Sequence, residues 1–331
     1  SFVVSFDDKK KAKTAIYEEF DFEINSNKID EPQFDNELSI LSVVGENMKK
    51  TRGISGKFFS ALGKNGINII AIAQGSSELN ISAVIERNEL SKALNVVHDS
   101  LLLSPVKTFN VMFAGTGNIG KELFRQLERE QKNLEENHQI KINVVGITNS
   151  REMKIFDNPE SDFDLNNNFN TNLQKSDLKE FINSISSKNL PNLVFVDNTS
   201  SEDVVAEYSL LFNNNISIVT CNKKGNSSSY EQYSKFKRLA KKNNVSFLYE
   251  TNVGAGLPII KTLNDLWISG DEILKIEAIL SGTISYIFNN YVGDNTFAEV
   301  VRTAQELGYT EPDPRDDLNG MDFSRKILIL G

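Results

Sequence analysis

Residues 109–130 read "FNVMFAGTGNIGKELFRQLERE". An apolar run from Phe109 to Ala114 leads into Gly115, Gly117 and Gly120, and a helical stretch follows. A GxGxxG pattern alone is weak, but one that ends a strand and opens a helix points to a dinucleotide fold. The glycines permit a tight turn and let backbone N–H groups approach a pyrophosphate, whose charge rests at the helix N-terminus. Asn118 and Ile119, inside the pattern, join the three glycines as candidate cofactor contacts. A glycine-rich turn without a ligand is the alternative.

Downstream, "KINVVGIT", "NLVFVDN", "ISIVTCN" and "SFLYE" supply strands in the order a doubly wound sheet needs. The Asn-rich insert at 156–176 reads as a surface loop. Pro105 marks the upstream boundary, so a Rossmann-like α/β domain is expected over 105–250. Its second strand ends in Asn149, Ser150 and Arg151 with no carboxylate before Glu152. An acidic residue there would hold the ribose 2′-hydroxyl of NAD, whereas a guanidinium suits a 2′-phosphate. NADP is therefore the expected cofactor and NAD the second candidate; an ordinary solvated Arg151 is the alternative.

"VTCNKKGN", 219–226, lies at the carboxyl end of a strand, where open α/β sheets bind ligands. Lys223 is placed to face a nicotinamide or a substrate carboxylate, with Lys224 solvated. Cys221 beside two lysines suggests an activated thiolate, but the sequence offers no His partner, which favours a buried strand-end cysteine. "YETNVGAGLPII", 249–260, sets Glu250 before a run of small residues. Carbonyls exposed in such a turn can wrap a hard cation, and a helix N-terminus after a glycine loop is the more common meaning.

Across all 331 residues, 45 acidic against 36 basic side chains leave a net charge of -9, which argues against nucleic acid as a partner. No apolar run approaches the roughly 18 residues a membrane span needs, and the first residues lack the order of a signal peptide, so a cytoplasmic protein is expected. One cysteine excludes an internal disulfide, and His98 and His138 have no ligand-spaced neighbours for zinc. The chain starts without Met inside a strand-like run, as a piece of something longer would.

Upstream of Pro105, "SFVVSF" and "DFEIN" read as strands around the helical "KKAKTAIYEEF". "LSILSVVG", "TRGISGKFFSALGKNG", "INIIAIA", "LNISAVIE" and "NELSKALNVVHDSLL" then give βαββα, with Leu90, Leu94, Val97 and Leu101 on one face of the last helix and "QGSSE" as a hairpin turn. That is a ferredoxin-like α+β unit short of one strand. It resembles the ACT family of amino-acid-binding regulatory domains, which implies an effector and places Gln74 as its contact. A plain structural layer is the alternative.

"GTGNIG", "TCNKK", "ETNVGAGLPII", "LSGTISYIFN" and "GYTEPDPRDDLNGMDFSRKILIL" occur in the order and approximate spacing of homoserine dehydrogenases. With the ACT-like segment in front, the chain resembles the bifunctional aspartokinase/homoserine dehydrogenase family. The resemblance implies NADP(H)-dependent interconversion of L-aspartate 4-semialdehyde and L-homoserine, threonine as effector, a homo-oligomer (dimer or tetramer), and a plastid location should the source be plant-like. It also implies domains at 1–104 (regulatory), 105–250 (dinucleotide-binding) and 251–331 (the start of an incomplete α+β substrate domain), with the kinase region absent.

Residue by residue, it places Gly115, Gly117, Gly120, Arg151 and Thr199 with the cofactor and Lys223 by the nicotinamide. Glu250 and the carbonyls of Val253, Ala255 and Leu257 match a monovalent-cation site for an ion such as Na+. Gly282, Thr283 and Tyr309 match substrate contacts, Glu311 and Asp322 hold the substrate amino group, and Asp317 and Lys326 serve the chemistry beside Lys223. Asn319 can cap a helix with Asp322 and Lys326 at i and i+4 and with Phe323, Ile327 and Leu330 inward; spacing alone favours an ordinary surface ion pair, and the motif and its context reverse that preference. The rival expectation is a catalytically incomplete fragment that only senses an amino acid and binds nucleotide.

Overall fold

The computed structural model describes residues 3–5, 7–45, 48, 51–75, 79–101, 106–160, 172–293, 295–310 and 313–331, with the backbone alone at 158–160 and 316. Strands β1 (Leu38–Val44), β2 (Ala71–Gln74) and β3 (Asn80–Glu86) form an antiparallel sheet in the order β1-β3-β2. Inward-pointing Leu41, Ile81, Ala83 and Ile85 bury against Phe58 and Leu62 of helix Ile54–Lys64 and against Ala93, Val96 and Val97 of helix Leu90–Leu101. The expected βαββα order is present.

Local readings differ at four places. Asp21–Asn25 is helix, because Asn25 Nδ2 donates to Asp21 Oδ1 at 2.9 Å and the Ser26 hydroxyl turns back on the Phe22 carbonyl, closing a turn that needs no neighbouring strand. Residues 3–5 adopt no regular structure. β2 starts at Ala71, four residues after the Ile67 amide closes the preceding helix on the Leu62 carbonyl through Gly66 at φ 72°. Leu94 stands exposed while Ala93 and Val96 turn inward. Of the hairpin "QGSSE", residues 76–78 lie outside the described residues.

The second sheet runs β10-β9-β8-β4-β5-β6-β7, built from β4 (Lys107–Ala114), β5 (Ile140–Thr148), β6 (Glu152–Glu160), β7 (Gln174–Lys175), β8 (Leu193–Asp197), β9 (Ser217–Thr220) and β10 (Phe247–Leu248). β4 pairs in parallel with β5 on one side and β8 on the other, so the strand order reverses there. A crevice opens beyond the carboxyl ends of strands at such a reversal. Alternation along β4 serves two cores. Val111 and Phe113 meet Phe124 of helix Asn118–His138, whereas Met112 and Ala114 join the aromatic cluster of Phe181, Phe195, Tyr208, Phe212, Phe236 and Phe247. The flanks of the expected surface loop are strands. β6 and β7 extend the sheet antiparallel, and Phe156 is buried where the Asn-rich composition hid an ordinary strand edge.

Beyond Asn252, helices Ile259–Ile268, Gly282–Asn290, Phe297–Glu306, Pro314–Leu318 and Met321–Leu330 follow. Ile329 and Leu330 pack against the aromatic core, which brings the last helix over the carboxyl edge of the parallel strands. Phe323 and Ile327 are exposed, contrary to the expected face, because burying Asp322 beside Lys223 sets the rotation of this helix. No helix among the described residues is long and apolar enough to cross a membrane.

Candidate active site

The glycine loop follows β4 directly. Gly115 sits at φ 98°, and a Cβ added at Gly120 would stand 2.2 Å from the Gly115 carbonyl oxygen, so only glycine lets the helix start this close to the strand. A Cβ at Gly117 would meet nothing within 4 Å, so its backbone faces open space. Gly117 caps helix Asn118–His138 without any side-chain hydrogen bond, leaving first-turn N–H groups for an anion. Ile119 is exposed in this first turn. Loop and helix end therefore fit a dinucleotide pyrophosphate. At the end of β5, Asn149 Oδ1 accepts the Arg151 and Glu152 amides at 2.8 and 2.9 Å, and Asn149 Nδ2 reaches Thr116 Oγ1 at 3.3 Å. An amide thus closes the turn where NAD-selective sites place a carboxylate, with Arg151 exposed on it.

At the ends of β8 and β9 lies a buried polar cluster. Asp197, fully buried, accepts from the Thr199 amide (2.8 Å) and hydroxyl (2.6 Å) on Oδ1, and from the Tyr208 hydroxyl (2.7 Å) and Asn222 Nδ2 (3.0 Å) on Oδ2. Tyr208 also lies 3.0 Å from Thr220 Oγ1, which accepts the Asn222 amide at 2.8 Å. Burial pushes the Asp197 carboxyl above its ordinary value, against the hydrogen bonds from Thr199, Tyr208 and Asn222. The Thr199 methyl faces Gly115, so the cluster abuts the glycine loop. Cys221 is half-buried and its amide donates to the Asp197 carbonyl.

Lys223 follows this cluster in a 3-10 turn capped by Asn222. Its ammonium is 2.7 Å from Asp322 Oδ1, while Lys326 Nζ is 2.5 Å from Asp322 Oδ2 and 2.7 Å from the Leu280 carbonyl. The Asp322 side chain is 8% exposed and the lysines 21% and 16%, so this is a buried triad rather than a surface pair. Burial alone would raise the Asp322 carboxyl, but hydrogen bonds and charge from Lys223 and Lys326 hold it below its ordinary value. Asp317 is buried at the end of the preceding short helix. Thr283 Oγ1 donates to the Tyr309 carbonyl, tying Gly282 and Thr283 to the turn before 311. Glu311 lies outside the described residues. Asn319 Oδ1 accepts the Met321 amide at 2.8 Å from one position before the cap residue, Gly320.

The Glu250 carboxylate accepts the Ile260 and Lys261 amides at 2.9 and 2.8 Å, so it caps helix Ile259–Ile268. Gly254 and Ala255 between them turn left-handed, at φ 81° and 51°. Lys224, expected to be solvated, meets the exposed Glu202 at 3.2 Å. Gln74 ends β2, exposed and remote in sequence from these groups. Sequence reasoning missed Asp197, Tyr208, Thr220 and Asn222. An acidic residue closing the apolar strand "NLVFVD" was the signal available.

Residues 41–101 match the ACT domain, residues 115–250 the homoserine dehydrogenase NAD-binding domain, and residues 258–331 homoserine dehydrogenase. A bifunctional aspartokinase/homoserine dehydrogenase of Haemophilus influenzae is 40% identical over 100% of this chain and 40% of its own length. A chloroplastic one of Arabidopsis thaliana is 40% identical over 99% of this chain and 36% of its own. The chain thus spans about two-fifths of the length of these curated relatives. A hyperthermophilic archaeal homoserine dehydrogenase solved with NADPH shares the fold, with a TM-score of 0.57 over 68% of this chain and 69% of that one, at 24% identity.

Proposed function

The chain belongs to the family of bifunctional aspartokinase/homoserine dehydrogenases, across their regulatory and dehydrogenase parts, and we propose that it interconverts L-aspartate 4-semialdehyde and L-homoserine with NADP(H). The observation that carries this reading is the Lys223–Asp322–Lys326 triad beside the carboxyl edge of a dinucleotide fold. When bound, the nicotinamide supplies or accepts the hydride. Gly115, Gly117 and Gly120, with Asn118, Ile119 and Thr199, hold that cofactor, and Arg151 selects a 2′-phosphate, with NAD as the second candidate.

A carbonyl that accepts hydride builds negative charge on oxygen. Lys326 donates the proton to it, and Lys223 adds positive charge nearby. Asp322 and Glu311 hold the substrate ammonium, Gly282, Thr283 and Tyr309 hold the remainder of the substrate, and Asp317 serves the proton transfer with Lys326. The left-handed turn supports a monovalent cation such as Na+ on the carbonyls of Val253, Ala255 and Leu257 beside Glu250. Domains over 1–104, 105–250 and 251–331, a homo-oligomeric state, threonine as the ACT effector through Gln74, and a cytoplasmic or plastid location complete the reading.

The test is NADPH oxidation by the full chain on addition of aspartate semialdehyde. Turnover is expected, faster with NADPH than with NADH, and Arg151→Ala should weaken NADPH selectively. Equal loss for both cofactors would remove Arg151 from cofactor choice. NADPH binding without turnover would leave the chain as an amino-acid sensor joined to a nucleotide-binding unit.

A further inference from the structure

We infer that Asp197 is a positioning residue for Lys223, its buried carboxylate clamping the turn after β9 so that the Lys223 ammonium meets Asp322. Its four hydrogen-bond donors, the Thr199 amide and hydroxyl, the Tyr208 hydroxyl and the Asn222 amide group, are all uncharged. A carboxylate with no exposed surface is costly, and uncharged donors recover only part of the lost hydration. What these bonds secure is the path of the chain. Asn222 spends Nδ2 on Asp197 and on the Ser201 carbonyl (2.9 Å), and its Oδ1 accepts the Lys224 amide (3.1 Å). The Lys223 carbonyl in turn accepts the Ser227 amide and hydroxyl. One buried carboxylate therefore ties the end of β8, helix Tyr208–Asn213 and the turn after β9 into a single unit, and Lys223 leaves that unit toward Asp322. A side chain that reacts through another gains from such a rigid support.

The dehydrogenase reading enters this inference only through its kinetic readout. Asp197→Asn keeps the shape but puts an NH2 group opposite the Tyr208 and Asn222 donors, which opens the clamp on one side. In the full chain labelled with 13C-aspartate, the Asp322 carboxyl reports on the turn directly, since Lys223 and Lys326 are its ammonium partners. The Asp322 titration midpoint should rise in Asp197→Asn, and kcat for NADP-linked homoserine oxidation should fall about 10-fold or more while KM for NADP stays within about twofold. Tyr208→Phe removes one donor, keeps the ring, and should move both readouts in the same direction by less. It takes the place of Asp197→Asn if that variant does not fold. An unmoved Asp322 midpoint or an unchanged kcat in a folded variant, with only the melting temperature altered, overturns the inference. A wild-type chain that does not oxidise homoserine overturns the dehydrogenase reading instead, and the Asp322 midpoint still decides the role of Asp197.

Discussion

Lys326 and Asp322 lie one helical turn apart, a spacing that on a surface stabilises by under about 1 kcal/mol and has no chemical meaning. Lys223, from a turn some hundred positions earlier in sequence, changes that. It takes the second oxygen of Asp322 and completes a buried triad. Lys326→Ala should then lower kcat by about 10²-fold or more with the fold intact, the loss expected for a general acid. Asp322→Asn should chiefly raise KM for homoserine. Unchanged kcat in Lys326→Ala would make the triad structural. Acid stability supplies a second readout. The Asp322 carboxyl titrates below its ordinary 3.8 in the folded protein, so its stabilisation is present above that value and is lost as pH falls through the folded value. Wild type should therefore lose urea resistance more steeply than Asp322→Asn as pH falls below that ordinary value. Equal slopes would show that the lysines do not favour the charged carboxylate.

The glycine loop and its helix were legible because their signal is local: an apolar strand, three spaced glycines and a helical period. The three glycines nevertheless do different work, and variants should separate them. Gly120→Ala forces a Cβ to 2.2 Å from the Gly115 carbonyl oxygen and should cost about 1–3 kcal/mol of stability as well as cofactor affinity. Gly117→Ala places its Cβ in open space, so the melting temperature should hold while NADPH affinity, followed by fluorescence titration, falls. Full affinity in Gly117→Ala would remove the pyrophosphate from this loop. Short stretches such as "DFEIN" and the flanks of the Asn-rich insert were misread for a shared reason. Over five to nine residues, strand and helix patterns overlap, and only hydrogen-bonded neighbours decide between them. β6 found such a neighbour in β5, whereas Asp21–Asn25 closed its own helical bonds.

The ACT unit and the dinucleotide unit meet at the end of the sheet remote from the glycine loop. Asn95 Nδ2 donates to the Asn189 carbonyl at 3.2 Å, and a Cβ at Gly66 would stand 2.3 Å from Asn215 Nδ2; Asn189 and Asn215 precede β8 and β9. Those strands end at Asp197 and Thr220, the cluster that precedes Lys223. Threonine should slow homoserine oxidation, and Gln74→Ala should remove the inhibition without changing the rate in its absence. Inhibition that survives the substitution would place the effector elsewhere. The order of units along the chain, the succession of parallel strands in the dinucleotide fold and the span of the last helix were set by patterns a few residues long, since periodicity and turn chemistry act locally. What surrounds Asp322 was not. Asp197, Tyr208, Thr220 and Asn222, and the pairing of Lys223 with Asp322, come from separate strands and helices that carry no mutual spacing rule. Only the folding of the sheet, with Ile329 and Leu330 of the last helix seated on its aromatic core, removes water from those groups and makes their charges count.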